Sequence, residues 1–188
     1  EGACKPDCSG LSEALAIKVT TDSYGTDMGI QGMDEICQTD FGSDYFAMVS
    51  DGETRVASET PYAGDGQADW VLGSYNHYYN EEDDLIWITG SESLLGVYDG
   101  EMADLDAEID PTGATSSWGA WTGMEADWTS DLDCENWSDA TSDTQGKSGN
   151  PTSTEIFISN GGTSICSYER HIYCVEQPSD DEEDDATM

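Results

Sequence analysis

The sequence predicts a disulfide-stapled globular domain built from short strands and one helix. Three observations carry that expectation. Six Cys, six Trp and nine Tyr among 188 residues supply cross-links and enough apolar bulk for a core. Short runs with strand or helix periodicity gather near 14–50 and 154–177. Between them lies a long stretch dominated by Gly, Ser, Asp, Tyr and Trp. The length fits one domain with tails. Residues 1–13 read as a cross-linked leader, 14–177 as the domain and 178–188 as an acidic tail.

Each element follows from local chemistry. Residues 14–21 (ALAIKVTT) are rich in β-branched side chains and are ended by a polar turn at 22–25, which predicts a first strand. In 28–38, Ile30, Met33 and Cys37 recur at i, i+3 and i+7 with Ile36 beside them. That is one apolar helix face, and it turns Cys37 inward. Residues 44–50 predict a second strand, closed by the turn pair Asp51 and Gly52. From 55 to 133 only 85–89 (LIWIT) and 117–122 (SWGAWT) look strand-like. So long a loop-rich region inside one domain is usually functional. Residues 138–154 read as a polar surface loop, and 154–159 and 170–176 as the last strands. Pro178 ends the fold.

Charge excludes several partners. The chain has 41 Asp+Glu against five Lys+Arg, a formal net charge of −36. Nucleic acid and anionic membranes are bound through clustered basic side chains, which are missing here. No apolar run reaches the about 18–20 residues that span a bilayer, so no transmembrane segment is expected. The acids admit two readings: a solvated surface suited to salty water, or carboxylates that hold calcium, a hard cation preferring oxygen ligands. The calcium candidate is Asp104, Asp106, Glu108 and Asp110, where acids on alternate residues share one side of an extended segment. It departs from the EF-hand pattern in lacking the central Gly and the spaced Glu. A weaker candidate is 80–84 (NEEDD).

The cysteines stand at Cys4, Cys8, Cys37, Cys134, Cys166 and Cys174. Their number is even, with no CxxC pair and no His at ligand spacing. That disfavours zinc and favours disulfides in an oxidising compartment. Six cysteines allow fifteen pairings, and spacing does not choose among them. Cys4 and Cys8 close a small local loop or bond between molecules. The sequence opens at Glu1 rather than Met, so a removed upstream segment such as a signal peptide is expected.

Several motifs share an order with one known family: 29–38 (GIQGMDEICQ), 47–52 (AMVSDG) with Arg55 beyond it, 121–123 (WTG), 134–137 (CENW), 146–149 (GKSG), and Cys166 with 170–177 (RHIYCVEQ). Over about 14–177 the chain resembles the bacterial endostatin-like domain of leptospiral surface lipoproteins, a relative of the C-type-lectin-like fold. The resemblance implies an α+β fold: a mixed twisted sheet, one packed helix and long irregular loops. It also implies the pairs Cys37–Cys174 and Cys134–Cys166, export to the cell surface, and no catalytic activity. The stretch 57–115 is longer and more acidic than the family pattern. Binding properties carried by those loops therefore do not transfer.

Enzyme signatures are missing: no GxSxG, HExxH or phosphate-cradling glycine loop occurs. His77 reads as part of an exposed aromatic loop, and His171 as a structural residue in the last strand. The tripeptides of sugar-binding C-type lectins are absent. Trp70, Trp87, Trp118, Trp121 and Trp128 read as core residues before sugar platforms. Residues 136–138 (NWS) form an N-glycosylation sequon. The expectation is a secreted, non-enzymatic extracellular or cell-surface protein. It acts by adhesion, or by self-association into a filament or layer; the alternative is a calcium-dependent glycan-binding module. Its partners are itself, or an extracellular glycan or protein, and calcium is the one cofactor considered.

Overall fold

The computed structural model describes residues 14–115, 119–155 and 157–178. Cys4 and Cys8, the leader, Trp118 and residues 179–188 of the tail lie outside them.

The fold is mixed α+β and mostly sheet. Among the described residues one right-handed helix, α1 (Gly29–Phe41), follows β1 (Ala14–Val19) and precedes β2 (Tyr45–Ala47). Then come β3 (His77–Tyr79), β4 (Leu85–Ile88), β5 (Val97–Tyr98), β6 (Glu101–Met102) and β7 (Ala120–Trp121). The chain closes with β8 (Gln145–Gly149), β9 (Gly162–Ile165) and β10 (His171–Glu176). The main sheet runs β4-β3-β1-β10-β7-β8-β9, with β2 also on β10, and β5 and β6 form a separate hairpin. β1 pairs antiparallel with β10 through Lys18 and Cys174, and parallel with β3 through Leu15 and Tyr78. β10 pairs parallel with β7 at its start and antiparallel with β2 at its end.

β10 explains itself by composition. Its residues His171, Ile172, Tyr173, Cys174 and Val175 are all buried, which a strand with both faces covered requires. Alternate side chains serve two cores. Tyr173 and Val175 join Ile17, Tyr78, Trp128 and Phe157 under the loop-rich region. Ile172 and Cys174 join Met33, Cys37, Trp121, Trp137 and Cys166 under the helix. Both described disulfides lie on the helix side. Cys37–Cys174 spans a sequence separation of 137 and Cys134–Cys166 one of 32. In the chain-entropy account these closures stabilise by about 5 and about 4 kcal/mol.

The helix forms where its apolar spacing predicted, with Met33 and Cys37 fully buried. It is fastened by charge as well. Asp34, on the same buried face, accepts from Arg55 Nη1 at 2.8 Å and Nη2 at 3.0 Å, and from the Ala47 amide at 2.8 Å. Arg55 also donates to the Ala47 carbonyl and to Asp69. A single guanidinium thus ties α1 to β2 and to the loop beyond.

Three local expectations are corrected. His77 is not in an exposed loop: it opens β3, whose next residue Tyr78 is fully buried. The stretch 138–154 is not simply a surface loop, because β8 lies within it. Its Gly146 lets Trp121 and Cys134 close over the backbone; an added Cβ would stand 2.7 Å from Cys134 Sγ and 3.0 Å from Trp121. The expected strand at 154–159 is instead a bend at 154–155 and a turn from 157, and β9 begins only at Gly162.

Candidate functional site

The predicted calcium ligands are not gathered. The segment is bent rather than extended. Leu105 and Ile109 are drawn into the core, which sends their acidic neighbours in different directions. Asp104 and Asp106 are exposed and Glu108 is half-buried. Asp110 is 4% exposed, and its carboxylate is saturated internally. It accepts from the amides of Thr112, Gly113 and Thr115 and from the hydroxyls of Thr112 and Thr115, at 2.6–3.1 Å. Burial works to raise the Asp110 pKa, but these donors outweigh it and hold the group below the ordinary carboxylate range. In the weaker candidate, Asn80 Oδ1 closes a turn on the amides of Glu82 and Asp84. Among the described residues, no three His, Cys, Asp or Glu side chains converge on a metal position.

The histidines stand apart. His77 lies in β3 beside β4. His171 is buried in β10 with its Nδ1 2.7 Å from the Thr20 carbonyl oxygen. Trp121 and Trp128 are fully buried and offer no face to a sugar ring, while Trp70 and Trp87 are half-buried against the core.

Two surface features stand out among the described residues. The first is a corner at Cys134–Trp137. All four residues carry φ between 55° and 58°, a left-handed run. Such a run costs about 1–2 kcal/mol per non-glycine residue. It is held by the Cys134–Cys166 bond, by the fully buried Trp137 whose Nε1 donates to the Ser50 carbonyl at 3.1 Å, and by Asp133 accepting from the Asn136 amide at 3.2 Å. The corner holds the sequon Asn136 exposed, with its Nδ2 on Glu53 at 3.3 Å. Burial, and then the charges of Asp51 and Glu53, push the Asp133 carboxyl up, against the pull of the Asn136 amide.

The second feature is an open groove of about 470 Å³ along the outer flank of α1. Its floor is Tyr24, Met28, Gly32 and Ile36, and its rim is Glu35, Thr39 and Asp40. Positions 28, 32, 36 and 39 lie on one side of the helix at successive turns. Gly32 makes the concavity: an added Cβ would stand 2.6 Å from Met28 Cβ. Tyr24 reaches across to the rim, its hydroxyl donating to Asp40 Oδ2 at 3.4 Å. Burial raises the phenol pKa, and the charges of Asp40 and Asp22 add to it.

A family model described as "Protein of unknown function (DUF1554)" matches residues 20–154. The chain belongs to the DUF1554 family. The DUF1554 match covers the groove and the left-handed corner, and stops short of Cys166 and Cys174. No curated protein matches this DUF1554 chain. The groove escaped the sequence reading because its lining residues flank the buried helix face. Only the packing shows which flank the sheet leaves uncovered. The one available signal was Gly32 four residues after Met28.

Proposed function

We propose that this protein is an exported, non-enzymatic extracellular protein that works by adhesion, with the α1 groove as its contact surface. The observation that carries this reading is the groove itself. It is an apolar, solvent-open channel on a helix that one disulfide and one buried guanidinium hold rigid. Preformed apolar concavities with a few polar groups at the rim are the usual form of a binding site. Disulfide cross-links fit an oxidising compartment, and no described helix is long and apolar enough to cross a membrane. The mixed sheet with one packed helix and long loops is in keeping with the C-type-lectin-like architecture that the sequence resembles.

The experiment is light scattering of the purified protein in calcium and in chelator, followed by adhesion of protein-coated beads to extracellular matrix. A monomer in both solutions whose beads adhere supports the reading. Polymers that form in calcium and dissolve in chelator replace it with filament or layer formation.

A further inference from the structure

The charge inventory identifies the chemistry of the partner. We infer that the α1 groove takes a cationic, apolar segment of a different protein rather than a second copy of this chain; this rests on the adhesive reading above. Two carboxylates line the groove, on different sides of it. Glu35 and Asp40 are exposed and neither forms an ion pair among the described residues. The rest of the lining includes Met28, Ile36 and Tyr24, which favour an apolar side chain.

Among the described residues this chain has little to offer such a site. Of its five Lys+Arg, four are described and all are engaged. Arg55 is buried between Asp34 and Asp69. Lys147 sits between Glu125 and Asp131. Lys18 lies 5.4 Å and 5.2 Å from the Phe41 and Tyr45 ring centres. Arg170 stacks over Trp121 and donates to Ser164. A second copy at −36 would be repelled instead. From Met28 to Thr39 the groove runs about 16 Å at about 1.5 Å per residue, the length of three helical turns or five extended residues. The occupant is therefore a short segment with alternating basic and apolar faces.

The probe is a fluorescein-labelled 12-residue Leu/Lys amphipathic peptide, compared with one in which Ser replaces every Leu at the same charge. Anisotropy is read at about 0.15 M salt, where the screening length is about 8 Å. The Leu peptide is expected to bind the protein about tenfold more tightly than the Ser peptide, about 1.4 kcal/mol. The double variant Glu35→Gln/Asp40→Asn is expected to weaken it about fivefold. A control of equal charge change on the β5–β6 hairpin, Asp99→Asn/Glu101→Gln, weakens it less than about twofold, because distant exposed charges are screened. Equal losses in the two doubles, or equal affinity for the two peptides, overturn the inference in favour of general polyanion behaviour. Protein-alone dimers that Ile36→Ser abolishes overturn it in favour of a second copy. If peptide binding ignores the groove while monomeric protein still coats adherent beads, only this inference falls; calcium-dependent polymers defeat the adhesive reading instead.

Discussion

Many of the carboxylates are structural rather than decorative. Asp51, Asp65, Asp110, Asp127 and Asp139 each accept from backbone amides, and from Thr hydroxyls, a few residues away. Such turns satisfy backbone donors that a loop-rich domain otherwise leaves unmet. At Asp51, as at Asp110, burial opposes ionisation but Thr and amide donors win, so the folded-state pKa lies below the ordinary value. Their contribution is therefore full above about pH 4 and is lost as pH falls through the lowered values. In about 1 M salt, where repulsion is screened beyond about 3 Å, denaturant stability should fall as pH is lowered below about 4. Asp110→Asn should flatten that decline, and a parallel curve would refute this account. Arg55 allows a second test at the same scale. Arg55→Ala leaves Asp34 buried without its partner and should cost about 3–5 kcal/mol in urea unfolding. A cost below about 1 kcal/mol would show that water replaces the guanidinium.

At the scale of elements, β1, α1 and β10 were legible because each is long enough to show a period and is buried on a defined face. β3 and β8 were not. β3 is three residues long, and its parallel partner β1 is remote in sequence. β8 (QGKSG) buries backbone rather than side chain, which hydrophobic periodicity does not register. At 104–110 the acids alternate, but the buried pair Leu105 and Ile109 decided the path. The disulfide pairs came from family resemblance and not from spacing. The left-handed corner had only a weak sequence signal, Asn136, since left-handed residues are usually Gly and none stands at 134–137. That strain is testable at the exposed Glu135, whose φ is 55°. Glu135→Gly should raise stability by about 0.5–1 kcal/mol, strain relief outweighing chain entropy. Glu135→Val should lower it by a similar amount or more. Thermal melts of both variants decide the matter, and opposite signs are required.

For the whole molecule, charge sets the conditions of stability. A net charge of −36 on one domain opposes compaction. Four described basic residues are spent on internal contacts, which leaves the surface field almost uncompensated. The melting temperature should therefore rise from low to high sodium chloride, with calcium more effective per mole if any carboxylates bridge it. A flat profile in both salts would mean that the carboxylates lie far enough apart for water alone to separate them.

The strand shared by both cores has a temporal consequence. β10 is the last described element in chain order, and β1, β2 and β7 all precede it. A chain emerging from its N-terminal side therefore presents every partner before the piece that joins them. Until residues 171–176 arrive, neither hydrophobic layer has its common wall, and Cys37 has not met Cys174. Contacts this distant in sequence form late. Such a polypeptide stays open until its last strand arrives and is locked afterwards. A fragment comprising residues 14–170 should accordingly show no near-ultraviolet circular dichroism.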